Sequence, residues 1–429
     1  MRQMPECKSS LLASDESRQE HQASGTHAEV TEPCSSIQGL NRIRGVRSAL
    51  PLRNVGDSVT YSIFEKVNGM ASRGVKVYPL AIGEPSFSTP SEIIEKARES
   101  MNAGDTHYVS SLGIPEVRMA IRDKVRRRNR INAEVSNTMF ISTKLAIYAS
   151  IVAASDGRGE VLIPNPGYFY SQAVALSGAK PVWYNLAGDY SLDVDEVRKR
   201  TTKKTRAIIV NTPSNPTGKM FSRRELKALL DFSGERKIYV ISDESYEDLV
   251  YDKEHVSMGS LEQEPSSVIS VFSLSKSFAM TGWRAGYVVA GETVIGLLDR
   301  FIEHTLSCFP PFIQRASAYA LREGGNSTRR FREELRGRRA LMERMIKRIP
   351  RLESARAEGA FYAFPKYDAK ISSLEFSRRL LDSKGVAVLP GSIFGPAGEK
   401  HLRITFAAPR ETIEKGMALL GEFIEGLPR

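Results

Sequence analysis

Between residues 90 and 300 the chain alternates short, almost continuously apolar runs with helical patterns, and that alternation most narrows the folds open to it. The runs are Val161–Pro164, Ala207–Asn211, Ile238–Asp243, Val268–Phe272 and Ala285–Ala290. A strand with one solvated face alternates apolar and polar residues, so these runs read as strands covered by helices on both faces. The helices between them announce their starts. Thr89-Pro90-Ser91-Glu92 supplies an N-cap, a proline at the first helical position and a capping-box glutamate, and Ser222-Arg-Arg-Glu225 repeats that logic before Leu226, Leu229 and Leu230. The pattern predicts a large α/β domain over residues 91–310, with a mostly parallel sheet between helices.

Residues 311–429 read as a smaller α+β domain. A helix ends at Leu380–Gly385, Val386–Leu389 is strand-like, and residues 410–425 form an amphipathic helix with Ile413, Met417, Leu420 and Ile424 on its apolar stripe. Residues 41–90 are expected to join that domain. Residues 1–40 are polar and aperiodic, and are expected to be a disordered extension.

Several function classes are excluded early. No run of 18 apolar residues exists, so nothing is expected to span a membrane. The N-terminus resembles neither a secretory signal nor a transit peptide, and Cys7, Cys34 and Cys308 are scattered without metal-ligand spacing. A reduced, cytoplasmic setting without a metal site follows as the expectation. The net charge of +11 is concentrated at Lys124–Arg130 and Arg329–Arg339. Both clusters read as solvated helix faces. They lack aromatic interleaving or a DNA-binding motif, so no nucleic-acid partner is expected.

The chemistry gathers at strand ends. Ser273-Leu-Ser275-Lys276 follows the run Val268–Phe272, and Gly282-Trp283-Arg284-Ala-Gly286 follows it in turn. Taken alone, the first string is either an exposed Ser-rich loop or a buried lysine. A buried ammonium is costly unless it is paired, neutral or captured by an aldehyde. Ser273, Ser275 and Arg284 together supply hydroxyl and bidentate donors suited to a phosphate. Asn211-Thr-Pro-Ser-Asn215-Pro-Thr-Gly218 sits just past another strand, where α/β sheets place ligands; it is also a sufficient turn sequence in its own right. Asp243-Glu-Ser-Tyr246 ends a third strand, and an acid there needs a partner such as a protonated pyridine nitrogen.

These strings resemble the class I/II aminotransferases, pyridoxal-phosphate (PLP) enzymes of fold type I, and more narrowly their aspartate aminotransferase-like subgroup. The resemblance runs from about residue 50 to the C-terminus. It implies that Lys276 holds the cofactor as a Schiff base and shuttles the substrate's α-proton. It implies that Asp243 faces the pyridine nitrogen, that Asn215 and Tyr246 bind the ring's 3-oxygen, and that Ser273, Ser275 and Arg284 bind the phosphate. Gly83-Glu84-Pro85 resembles a loop near the substrate carboxylate. Tyr108, in Tyr108-Val-Ser-Ser-Leu-Gly113-Ile-Pro-Glu116-Val-Arg118, resembles a tyrosine that reaches the cofactor of a second subunit, which implies a homodimer. Tyr168 resembles the aromatic stacked on the ring, Gly359-Ala-Phe361-Tyr362 a small-domain motif near the site, and Arg403 the arginine that grips the substrate α-carboxylate.

The resemblance has departures. Ser142, in Ile141-Ser142-Thr143-Lys144, stands where the phosphate turn usually has glycine; a negative φ there would let the Thr143 and Lys144 amides still face a phosphate. Ser86 replaces a common aspartate and Glu358 a common proline. Ser58, Thr60 and Lys144 resemble contacts to the distal carboxylate of a dicarboxylic substrate; a helix N-cap and a solvated lysine are the alternative readings. The implied activity moves an amino group between an L-amino acid, with aspartate or glutamate the candidates, and a 2-oxo acid. A β-lyase, cyclising synthase, decarboxylase or oxidase would share Lys276, Asp243 and Arg284, so those residues leave these alternatives open.

Overall fold

The computed structural model describes residues 55–428 apart from Asp57. The expected extension over residues 1–40, with Cys7 and Cys34, lies outside the described residues.

The chain enters through helix α1 (Val59–Ser72) and the short strand β1 (Tyr78–Pro79). The large sheet follows: β2 (Thr138–Phe140), β3 (Glu160–Asn165), β4 (Lys180–Asn185), β5 (Thr205–Asn211), β6 (Tyr239–Asp243), β7 (Val268–Ser273) and β8 (Gly286–Val289), in the order β2-β8-β7-β6-β5-β3-β4. All five apolar runs are strands. The sheet is parallel from β4 to β7, and β8 runs antiparallel to both β7 and β2. Two strands escaped the sequence reading. β2 has only three residues, and the edge strand β4 is mostly half-exposed and lacks a continuous apolar run.

Helix α2 (Thr143–Ser155) packs against the middle of the sheet through Ala146, Ile147, Ala149 and Ile151. Its sequence is apolar nearly all round, which suits a helix enclosed by protein. Helix Pro311–Glu323 also packs into this core, through Ala316, Ala320 and Leu321, so the change of core falls beyond Glu323 rather than at residue 311. The second core is built on Leu335, Met342, Phe376, Leu380, Ile404, Ile413, Met417, Leu420 and Ile424. Around it lie a three-stranded antiparallel sheet of Tyr362–Ala363, Leu402–Thr405 and Leu389–Pro390 and the helix Arg410–Glu425. β1 pairs in parallel with Val386–Ala387, which ties the N-terminal segment to this unit.

Local signals held unevenly. Ser222 and Glu225 form the full capping box, and Gly385 closes its helix at φ +67°, a conformation that penalises any side chain with a Cβ. Thr89 does not cap its helix. Pro90 takes the N-cap position, and the Thr89 hydroxyl turns away to donate to the Ala279 carbonyl at 2.7 Å.

The basic clusters are only partly solvated. Lys124 is buried, bonds Asn129 at 2.8 Å and pairs with Glu247, whose side chain is 8% exposed; Arg128 pairs with Asp248 at 2.7 Å. Arg338 and Arg339 are buried as well. Arg338 donates to the carbonyls of Ala407 and Ala408 and to Ser86 Oγ, and Arg339 donates to Asp252 and the Ala357 carbonyl. Charge composition cannot reveal such partners, because they come from distant elements. Removing one member of a buried pair strands the other. We expect Glu247→Gln to destabilise the protein by about 3 kcal/mol, read as a lowered denaturation midpoint. A midpoint equal to wild type would show that Lys124 does not depend on this carboxylate.

Candidate active site

Sheet register assembles the site. Asn211 lies opposite Asp243 across β5 and β6, Asp243 opposite Val271 across β6 and β7, and Ser273 opposite Gly286 across β7 and β8. The carboxyl ends of three strands therefore present Asn215, Asp243 and the Ser273–Lys276 turn to one cavity of about 230 Å3. Arg284, Tyr168, Thr143 and Lys144 line the same space from the large unit. From elsewhere come Thr60, Gly83, Tyr362 and Arg403.

At the base, Asp243 is buried. Tyr170 Oη donates to one carboxylate oxygen at 2.6 Å, and the Ser245 amide donates to the other at 3.1 Å. Burial pushes this carboxyl above its usual range, against the pull of those donors. A neutral set of donors leaves room for a cationic partner. Tyr246 Oη lies 2.9 Å from Tyr362 Oη and 3.5 Å from Asn215 Nδ2, and burial pushes both phenols up. Tyr168 also lines the cavity, its phenol pushed up to about 12 by burial.

Lys276 projects between these groups and donates to the Gly83 carbonyl at 2.7 Å. Desolvation, aided by Arg403 and Arg284 and opposed by Glu84 and Asp243, lowers its amine to about 8. A lysine so depressed has a substantial neutral fraction near physiological pH, which nucleophilic attack and proton abstraction both require.

The other end of the cavity is built for an anion. Ser142 precedes α2 with φ −64°, so its Cβ is accommodated and the helix start faces the cavity at Thr143 and Lys144. Its side chain caps none of the first-turn amides. The hydroxyls of Thr143, Ser273 and Ser275 and the Arg284 guanidinium stand around that start. Arg284 holds φ +56°, unusual for a residue with a side chain. Of the glycines beside it, Gly286 is needed for packing, since a Cβ would lie 2.6 Å from Thr143 Oγ1 and 2.7 Å from the Phe272 carbonyl, while Gly282 is open.

Arg403 is buried, with its guanidinium over the Tyr362 ring at 4.3 Å. It donates to the Ala81 carbonyl at 2.6 Å and to Asn215 Oδ1 at 3.2 Å, yet its Nε has no partner among the described residues. A buried guanidinium with an unused donor beside a cavity is suited to a carboxylate. Gly83 is glycine here for closeness, since a Cβ would collide with the Tyr362 hydroxyl.

Not every expected residue converges. Tyr108 is 88% exposed and lies outside this chain's cavity. Ser58 is the N-cap of α1, accepting from the Tyr61 amide, and lies outside the inner cavity. Ser86 and Glu358 have their own partners: Ser86 Oγ accepts from Arg338, and Glu358 accepts from the Met220 amide at 3.0 Å and from Lys253. Tyr170 and Ser245, the two groups holding Asp243, were missed in the sequence. Ser245 follows Asp243 at the spacing of an Asx turn and was readable; nothing local marks Tyr170.

An acid held by neutral donors among the described residues, a lysine depressed in the same cavity, and a hydroxyl-rich helix start fit a phosphorylated pyridine aldehyde. Comparison with known proteins agrees. Residues 75–420 match the family model of aminotransferase class I and II. The aspartate aminotransferase of Pyrococcus abyssi is 38% identical over 370 residues, covering 84% of this chain and 95% of that one. The aromatic-amino-acid aminotransferase 2 of Thermococcus litoralis is 37% identical over 375 residues, covering 85% and 95%. Among solved structures, Thermus thermophilus aspartate aminotransferase with maleate superposes with a TM-score of 0.84 at 30% identity, over 88% of this chain and all of that one (100%). The chain thus belongs to the class I and II aminotransferases, PLP-dependent enzymes, and is a transaminase of the aspartate aminotransferase type.

Proposed function

We propose that this aminotransferase carries PLP on Lys276 and moves an amino group between a dicarboxylic amino acid, aspartate or glutamate, and a 2-oxo acid. The observation that carries the reading is the Lys276 amine, lowered to about 8 and set in one cavity with Asp243, Arg284 and Arg403. Bound there, the cofactor supplies an electron sink for charge developing at the substrate's α-carbon. The protein does the rest. Asp243 would stay anionic against a ring cation, Asn215 and Tyr246 would hold the ring's 3-oxygen, and Tyr168 would lie against the ring. Ser273, Ser275, Arg284 and the helix-start amides of Thr143 and Lys144 would hold the phosphate. Arg403 orients the α-carboxylate beside the Gly83 backbone, and Lys276, when neutral, takes the α-proton and returns it.

We further propose that the enzyme works as a homodimer in which the exposed Tyr108 completes the site of a second copy. No helix among the described residues is long and apolar enough to cross a membrane.

Thr60 and Lys144 support the dicarboxylate assignment, since both border the cavity; Ser58 at the cap of α1 supports it less directly. One observation favours a second reading. Past Thr60 and Lys144 the cavity adjoins a space of about 580 Å3 lined by Tyr61, Tyr148, Phe169, Trp183 and Ile393, which suits an aromatic side chain. The test is a half-reaction. Mixed with aspartate or glutamate alone, the PLP-loaded enzyme should yield pyridoxamine phosphate and the matching 2-oxo acid; ammonia or pyruvate without pyridoxamine phosphate would point to a lyase. Lys144→Ala should raise KM for dicarboxylic substrates about tenfold or more while sparing aromatic ones. Equal losses for both classes would remove Lys144 from side-chain recognition.

A further inference from the structure

The loop between Lys276 and Gly286 holds two non-glycine residues in the left-handed region, Ala279 at φ +52° and Arg284 at φ +56°. Such conformations cost free energy and persist only where neighbours enforce them. The enforcing contacts come from residues 83–89, which cross this loop as a strap. The Gly83 carbonyl takes the Lys276 amine at 2.7 Å, and the Glu84 carboxylate accepts from the Thr281 hydroxyl. Arg284 donates back to the Thr281 carbonyl at 2.9 Å. The Thr89 hydroxyl serves both strained residues at once. It donates to the carbonyl of Ala279 at 2.7 Å, and it accepts from the indole Nε1 of Trp283, the neighbour of Arg284, at 3.1 Å. Neither Thr89 nor Trp283 lines the cavity.

We infer that Thr89 and Trp283 are positioning residues: the Thr89 hydroxyl, acting through the Trp283 indole, holds the left-handed backbone that turns the Arg284 guanidinium to the anion end of the cavity. The inference rests on the reading that Arg284 grips the cofactor phosphate. It explains why a threonine followed by proline, in a sequence that looks like a helix start, leaves the cap empty. Its one hydroxyl donates and accepts in the loop instead.

The test uses Thr89→Val, which keeps the shape without the hydroxyl, Thr89→Ser, which keeps the hydroxyl, and Trp283→Phe, which removes only the indole N–H and some bulk. Two quantities are measured: backbone amide exchange over residues 279–284 in the cofactor-free protein, and the dissociation constant for pyridoxal phosphate. Thr89→Val should exchange faster over that segment and bind the cofactor about tenfold more weakly, the size of one lost hydrogen bond. Thr89→Ser should behave as wild type in both, and Trp283→Phe should speed exchange near residues 283–284. Exchange and affinity within twofold of wild type in Thr89→Val, or equal loss in Thr89→Ser, overturns the inference. Should Thr89→Val fail to fold, unchanged exchange in Trp283→Phe overturns it by itself. Failure of the wild type to take up pyridoxal phosphate would instead defeat the underlying cofactor reading, while the exchange comparison in cofactor-free protein still judges the strap.

Discussion

Lys276→Ala is expected to lower transamination by about 10^4-fold or more, because in the proposed function one amine is both covalent anchor and proton carrier. No other described residue can replace it: Lys144 stands at the helix start, and the remaining cations of the cavity are arginines, which do not deprotonate. The Lys276 amine is lowered to about 8, chiefly by desolvation. In the cofactor-free wild type, the rate of capturing pyridoxal phosphate should therefore rise with pH and level off above about 8, where an exposed lysine would keep rising toward its ordinary value near 10.4. The variant should show no capture that borohydride reduction can trap. Residual activity above about 1% of wild type, or a capture profile still climbing at pH 10, would remove Lys276 from this role.

Asp243→Asn is expected to cost about 10^2- to 10^4-fold in activity while leaving the fold in place. The amide is nearly isosteric. Its oxygen still accepts from the Ser245 amide, and its NH2 can turn to Tyr170, whose hydroxyl accepts as well as donates. What disappears is the negative charge, and with it the group proposed to keep a bound cofactor's ring nitrogen protonated. Stability should move in the opposite sense when no cofactor is present. Burial raises this carboxyl in the folded protein, so the folded state binds the proton more tightly than the unfolded chain. Stability from this group is then present below the unfolded value near 3.9 and is lost as pH rises through the raised folded value. At pH 7 the wild-type site carries that cost and asparagine does not. Thermal melts at pH 7 should place cofactor-free Asp243→Asn at or above cofactor-free wild type, and the order should reverse once pyridoxal phosphate is added. A less stable cofactor-free variant would mean that the carboxylate is already compensated by its hydroxyl and amide donors.

These two residues also show how much of the site is legible in the sequence. Lys276 and Asp243 each end a run of apolar residues, and a charge in that position raises a question that burial energetics can frame. Arg403, in Leu402-Arg-Ile-Thr-Phe406, was legible only through the family resemblance. Tyr170 raised no such question. It opens the helix Tyr170–Leu176 after Tyr168 and Phe169, and only the sheet order, with β5 alone between β3 and β6, brings its hydroxyl to Asp243, 73 residues away. Thr89 was misread for the same reason. Its local sequence is that of a helix start, and its actual partners, Ala279 and Trp283, are 190 and 194 residues distant. The basic clusters failed in a related way: which faces of the helices meet acids and carbonyls depends on what packs over them, and Lys124, Arg338 and Arg339 are covered.

Local order therefore settled a good deal by itself. Period and length identified the five central strands, and the capping box at Ser222 and Gly385 marked helix ends, because backbone sterics and the two- or 3.6-residue repeat act over a few residues; strand-end chemistry raised Lys276, Asp243 and Asn215 as candidates, and the family resemblance chose among their readings. Tertiary structure alone decided the order of the strands and the antiparallel turn of β8. It decided that Arg403 and Asn215 share a hydrogen bond, that Tyr170 serves Asp243, and that Thr89 serves a loop instead of its helix. Each of those is a contact between residues far apart in the chain, and its energy depends on desolvation and geometry that exist only once distant segments have packed together.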